Sequence, residues 1–514
     1  LVQLTVLVLR QNLGQGNHMP DTALPSFSLK HPDRLYIDGA WVAPSTGARI
    51  DVISPNTEEV VIKVAEAREA DIDRAVAAAR KAFDHGPWPR MSHTERAEKL
   101  REIARHLRAR NDELAFTWTE QMGALSSFTK TAGIDAAKTF EYFADMAATY
   151  PWEEVRAPGY GNGIAMVVRE PVGVVAAICP WNGPLGTMAR KVAPALLAGC
   201  TVIMKPSPET PLDAYILAEC MEAAGLPPGV VNLCTTHREV ADYLVCRPEV
   251  DKVAFTGSTV AGRRIGSVCG ERVARATLEL GGKSAAIILD DIDIADVVAT
   301  LTPGMCRLNG QVCASLTRVV VSKKRHDDFV DAFAAGMQGI QVGNSRDAGT
   351  QLGPLAMKRQ LDRVEGYIAK GKDQGAKLAT GGGRPKNLNR GYFVEPTLFA
   401  NVDNAMTIAQ EEIFGPVVSV IPYVDVADAI RIANDSIYGL NGAVFTNDVE
   451  QAYDVARGVR TGTFAQNEFK IDFAVPFGGF KQSGVGREGG PEGLLPYLEL
   501  KTIHLPRQPT NLRG

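Results

Sequence analysis

No stretch of this 514-residue chain is apolar for long enough to cross a membrane. Runs such as 192–204 are interrupted by Gly, Thr or Pro, so no transmembrane helix is expected. No charge of one sign is in surplus either. Lys and Arg total 55 and Asp and Glu 59, a net charge of −4, which leaves no basic footprint for nucleic acid or anionic lipid. No CxxC pair occurs among the eight cysteines (179, 200, 220, 234, 246, 269, 306 and 313). Reduced thiols in a cytoplasmic protein are therefore expected, most of them packing as small hydrophobes. A repeat of solenoid length is also missing. The first twenty residues carry neither an initiating Met nor a basic n-region, so no signal peptide is read there. Residues 1–30 are set aside as a tail, with His18–Met19 reading as an engineered junction.

Several catalytic signatures are missing as well. There is no HExxH and no GxSxG, and no metal site is expected. The stretch "GSTVAGRR" (257–264) has Walker-like glycine spacing but puts Arg263 and Arg264 where Lys-Ser/Thr should stand. "GVGREG" (484–489) matches GxGxxG, but no hydrophobic strand precedes it and no βαβ unit follows, so it does not read as a dinucleotide fingerprint.

What is present is a long alternation of strand and helix patterns. Two amphipathic helices are read at 70–84 and 94–110. From 172 onward, short Val/Ile-rich runs (172–179, 201–206, 230–234, 252–257 and 276–280) alternate with helix-like segments at 186–198, 211–224, 238–246 and 259–269. This order specifies a parallel sheet covered on both faces, with ligands expected at the carboxyl ends of its strands. Those ends read "PWN", "KPS", "FTGS" and "ELGG". A second α/β unit follows over about 285–480, with a strand at 318–322, a helix over 326–339 and a strand at 442–446. A hairpin is read at 153–169 and a further strand at 497–505; exposed edges of this kind favour oligomerisation.

The strand ends supply chemistry. The Asn182 amide suits a developing oxyanion, although it also suits a turn. Lys205 suits ribose or phosphate, and Gly257 with Ser258 offers a helix start to a phosphate. Glu279 stands beside two glycines. Beyond it, "GMCRLNGQVCAS" (304–315) holds two cysteines. Cys306 sits in an apolar context and Cys313 in a Gly/Asn/Gln-bearing one, which favours Cys313 as a reactive thiol without deciding the matter.

"PWN", "MKPS", "FTGST", "LELGGKS", "GQVC", "EEIFGPV" (411–417) and "PFGGFKQSGVGRE" (476–488) together resemble, in order and spacing, the NAD(P)-dependent aldehyde dehydrogenase superfamily. The resemblance runs from about 35 to 505. It implies an α/β fold with a Rossmann-like parallel-sheet cofactor domain (31–150 and 171–281) and a second α/β catalytic domain (282–490). A β-hairpin oligomerisation arm (151–170 and 491–507) completes it.

By the same resemblance Cys313 is the nucleophile toward an aldehyde, and Asn182 with the Cys313 N–H holds the oxyanion. Glu279 activates the water that hydrolyses the thioester. Trp181, Lys205, Ser207, Gly257, Ser258, Glu412 and Phe414 are the implied cofactor contacts. Lys191 matches an active-site lysine to which no role is assigned. A homodimer or homotetramer is implied, with no nucleic-acid or membrane partner.

Two departures from the family pattern bear on specificity. Many NAD-dependent members carry Glu where this chain has Pro208, with Glu209 one step on; NAD is expected to be favoured, with NADP also used. Gly183 stands where members acting on small aldehydes place an aromatic, and Thr187, Val312 and Ala314 are small. A wide and mostly uncharged entrance is therefore expected, unless Phe469 or Phe473 fills it. That entrance suits a medium-to-large apolar aldehyde over acetaldehyde or a charged semialdehyde. The alternatives are a CoA-acylating semialdehyde dehydrogenase, whose members generally lack the glutamate at 279, and an inactive nucleotide-binding structural protein.

Overall fold

Runs buried on both faces, such as Val174–Ile178 and Thr201–Lys205, can only sit inside a sheet covered by helices on both sides. The computed structural model describes residues 27–510 and shows that arrangement. The tail readings at 1–20 lie outside the described residues.

Five parallel strands form the middle of an eight-stranded sheet, in the order Arg275–Glu279, Lys252–Thr256, Val174–Ile178, Thr201–Lys205, Val231–Leu233. Side chains alternate between two cores, as the period of two requires. Val175, Ala177, Val202 and Met204 pack with the helix Pro184–Ala198 and its neighbours. Val174, Ala176, Ile203 and Val253 pack on the other face, against Ile72, Val240 and Ile265. Register aligns the strand ends: Ile178 lies opposite Lys205, and Thr256 opposite Glu279. Residues separated by a hundred positions therefore share one edge.

Several boundaries differ from the sequence reading. The helix expected from 186 starts at Pro184, because Pro at the first turn gives up no hydrogen bond and arrives with helical φ. The helix expected to end at 269 continues to Arg272. Two helices that were not read, Asn111–Met122 and Ala132–Met146, cover the first core with Phe140 and Phe143.

The second sheet has seven strands. Val417–Tyr423, Leu316–Ser322, Ser284–Ile288 and Gly442–Phe445 run parallel at its centre. The hairpin is present as Glu153–Arg156 and Ile164–Pro171, and Leu498–Leu505 pairs antiparallel along the latter for its full length. Gly484–Val485, from the "GVGREG" stretch, pairs antiparallel with Leu278 and Glu279 at the edge of the first sheet. That stretch props up a strand end and opens no phosphate-binding helix. None of the helices among the described residues is long and apolar enough to cross a membrane.

Candidate active site

The aligned strand ends border a cavity of about 1040 Å³. All the site residues read from the sequence line it except Lys205 and Ser207. Cys313 lies at a junction. On one side are the ends of Lys252–Thr256 and Arg275–Glu279 together with Glu412 and Phe414. On the other are Gly183 and Thr187 of the helix region, with Ile471 and Phe473 from the loop before Phe477.

The loop carrying Cys313 has an unusual backbone. Leu308, Asn309 and Gly310 all take positive φ, a conformation that needs support when two of the three carry side chains. Buried Asn309 supplies it, donating to the carbonyls of Gly123 (2.7 Å) and Pro354 (2.8 Å) and accepting from Gly353 N–H (2.8 Å). Gln311 accepts from Ala356 N–H (3.0 Å) and donates to the Leu308 carbonyl (3.0 Å). The polar residues that single out Cys313 in the sequence thus hold the loop and do not solvate the sulfur. Gly282 lets the loop approach, since a Cβ there would run into the Cys313 carbonyl oxygen.

Cys313 is half-buried, and Cys306 is buried with its thiol on the Thr302 carbonyl (3.4 Å). Burial pushes the Cys306 thiol up to about 12. Burial also holds the Cys313 thiol far above its ordinary range, and the carboxylates of Glu279 and Glu412 add to the effect. Burial thus acts on both thiols in the same direction, and what separates them is access to the main cavity and the groups around it. The Cys313 N–H finds no acceptor among the described residues. The Asn182 amide donates one N–H to the Gln311 carbonyl (2.8 Å), which leaves its second N–H unspent. The Asn182 carbonyl in turn accepts from the Trp118 indole (3.1 Å).

Glu279 ends its strand with Oε1 buried and without a hydrogen-bond partner among the described residues. Burial, reinforced by the Glu488 carboxylate, pushes its carboxyl up to about 8. Glu488 was not identified from the sequence as a site residue, because nothing in "GVGRE" signals its partners. It accepts a short hydrogen bond from fully buried Lys191, which also donates to Thr256 Oγ1 (2.7 Å), and Arg190 lies 3.6 Å away.

On the cofactor side the helix Thr259–Arg272 starts at Ser258, whose hydroxyl accepts from Ala261 N–H (3.3 Å) and caps it. The first free N–H groups of that helix suit a phosphate. Glu412 accepts from Gly282 N–H (3.1 Å), and burial pushes its carboxyl up to about 7. Trp181 and Phe414 meet edge to face at 5.2 Å. A phosphate cradle, a carboxylate for ribose hydroxyls and an aromatic pair together fit a dinucleotide. Lys205 and Ser207 stand at the neighbouring strand end. Burial lowers the Lys205 ammonium to about 8. Ser207 Oγ donates to Glu209, and Arg359 pairs with the same carboxylate at 2.6 Å. The gap left by Pro208 is thus partly refilled by the next residue.

The cavity is not as uncharged as expected of its entrance: Arg190, Lys130, Asp135 and Arg307 are among its lining residues. They were missed because only the immediate flanks of Asn182 and Cys313 were read. Space at Gly183 is open, since a Cβ there would meet only Thr187 Oγ1 at 3.7 Å. Phe473 does enter the cavity, with the Arg190 guanidinium 3.9 Å above its ring.

The chain is similar to known proteins over nearly its whole length. Geranial dehydrogenase of Castellaniella defragrans is 43% identical over 92% of this chain and 98% of its own length. A crystal structure of Mycobacterium tuberculosis aldehyde dehydrogenase with NAD+ is 45% identical, covering 92% of this chain and 98% of that one, with a TM-score of 0.90. A mutant aldehyde dehydrogenase C of Pseudomonas syringae with NAD+ and octanal is 40% identical, covering 94% and 98%, with a TM-score of 0.89. A sequence model described as the aldehyde dehydrogenase family matches residues 41–503, and the chain belongs to that family.

Proposed function

We propose that this protein oxidises a medium-to-large aldehyde with an apolar body to the carboxylic acid, using NAD in preference to NADP. One observation carries the reading: an accessible cysteine, a half-spent amide, and an N–H and a buried carboxyl oxygen that lack hydrogen-bond partners among the described residues share one cavity.

Cys313 Sγ gives its proton to water in the cavity and bonds to the aldehyde carbon. The carbonyl oxygen becomes an oxyanion held by the Cys313 N–H and the second N–H of Asn182. NAD, when bound by Ser258, Glu412, Trp181 and Phe414 with Lys205 and Ser207 at the adenosine end, supplies the hydride acceptor. The acyl group is then a thioester on Cys313. Glu279 in its ionised form takes a proton from water, the hydroxide adds to the acyl carbon, and the C–S bond breaks to release the acid. A buried base beside the thioester supports release to water over transfer to CoA.

NAD preference is supported by the Glu209 carboxylate at Ser207, which a 2′-phosphate would have to approach. Substrate size is supported by the open space at Gly183 and by the names of the relatives that act on or bind geranial and octanal. The division into cofactor (31–150 and 171–281), catalytic (282–490) and arm (151–170 and 491–507) segments is supported by the presence of separate eight-, seven- and three-stranded sheets. Exposed Leu500 and Ile503 on the arm support a homo-oligomer, and eight free cysteines accord with a cytoplasmic location. Initial rates of reduced-cofactor formation over a panel of aldehydes, with each cofactor, test the reading. Absence of turnover with every aldehyde would overturn it.

A further inference from the structure

The backbone that presents Asn182 is held from outside its own helix. The helix Pro184–Ala198 takes up the Gly183 carbonyl through Thr187 N–H (3.0 Å), but not the two carbonyls before it. The Trp181 carbonyl accepts from Thr210 Oγ1 (3.1 Å), and the Asn182 carbonyl from the Trp118 indole (3.1 Å). No backbone N–H reaches the Asn182 carbonyl among the described residues. Because the peptide unit is planar, that one bond fixes the direction of the Asn182–Gly183 peptide, and so how the Asn182 side chain leaves the chain.

Trp118 stands near the end of Asn111–Met122, and the turn after it is tied down at each step. Thr119 Oγ1 meets Thr129 Oγ1 (2.9 Å), Glu120 pairs with Arg346, and Gln121 Oε1 accepts from Leu212 N–H (3.0 Å). All three side chains are buried. Bonds from buried polar groups to three other segments leave the turn little freedom, because breaking any of them leaves a polar atom unpaired. The turn ends at Gly123, whose carbonyl accepts from Asn309 (2.7 Å) and from Ser345 Oγ (2.6 Å). Asn309 belongs to the loop that carries Cys313. One short platform thus holds Asn182 through Trp118 and the Cys313 loop through Gly123.

We propose that Trp118 is a positioning residue for the oxyanion: its indole N–H orients the Asn182 amide and makes no bond to substrate itself. This rests on the oxyanion role of Asn182 proposed above and goes beyond it. The competing role is that of a wall, since the Trp118 ring also lines the cavity and meets Phe128 edge to face at 5.5 Å.

Trp118→Phe separates the two roles, because it removes the N–H and keeps an aromatic ring in the cavity. The measurement is the single-turnover rate of reduced-cofactor formation with enzyme in excess, for acetaldehyde and for nonanal. It is made in the wild-type and Asn182→Ala backgrounds. In the wild-type background Trp118→Phe should slow the reaction roughly three- to tenfold, the worth of one hydrogen bond, by the same factor for both aldehydes. In the Asn182→Ala background it should slow it by less than about twofold, since a residue that acts through another adds nothing once that one is gone. A merely structural role would give the same factor in both backgrounds. That result, a loss confined to nonanal, or no loss at all overturns the proposal while the oxyanion reading stands. A near-normal rate in Asn182→Ala itself removes the reading on which the proposal rests, and the proposal with it.

Discussion

The side-chain amide of Asn182 donates 2.8 Å to the backbone carbonyl of Gln311, two residues before Cys313. One side chain therefore ties the first strand end of one sheet to the loop that carries Cys313, the proposed nucleophile, and keeps a second N–H unspent. Asn182→Ala should lower kcat by about 10²–10³, the usual cost of an oxyanion donor. Asn182→Asp should be at least as damaging, because a carboxylate there repels both the Gln311 carbonyl and an oxyanion. Near-normal kcat in Asn182→Ala would remove Asn182 from the mechanism.

The two cysteines separate cleanly by experiment. Cys313→Ala should abolish formation of reduced cofactor. Cys306→Ala should keep activity and cost about 1 kcal/mol of stability, as for a small buried side chain. Thermal melts and steady-state rates of the two variants give the comparison. Activity retained in Cys313→Ala would contradict the assignment.

Glu279 sets the pH dependence. With its carboxyl pushed up to about 8 by burial, it is neutral below that pH and unable to accept a proton from water. Turnover should therefore rise as pH passes from about 7 to 9, wherever hydrolysis of the thioester limits the rate. Glu279→Gln should keep a rapid burst of reduced cofactor, equal to about one per active site, and lose the steady state along with this rising limb. A Gln variant without a burst would place Glu279 before the thioester and not after it.

The proposed preference for NAD rests on the carboxylate that Ser207 holds. Glu209→Gln removes its charge and frees Arg359, so the ratio of kcat/KM for NADP over NAD should rise roughly three- to tenfold. A wild-type protein that strongly prefers NADP would refute this account of the adenosine end.

Gly183 faces open space toward Thr187. Gly183→Phe should depress kcat/KM for bulky aldehydes more than for acetaldehyde, with each methylene excluded from the channel costing about 0.8 kcal/mol. A uniform loss for all sizes would show that the ring disturbs Asn182 and does not narrow the entrance.

Local pattern was enough to read the layered α/β plan. Val/Ile runs bounded by Gly and Pro mark buried strands, and the period of two in Val174–Ile178 sends alternate side chains to two cores. Motif order, through family resemblance, singles out Cys313, Glu279 and Asn182 as candidates, and all three line one cavity. The helices over 111–146 escaped notice, although their apolar residues enter the same core. Tertiary structure alone decided how the site is held and charged. Lys191 meets Glu488 across 297 positions, and Asn182 meets Gln311 across 129. Such pairs leave no periodic trace, because they are created by strand ends brought into register and not by neighbours along the chain.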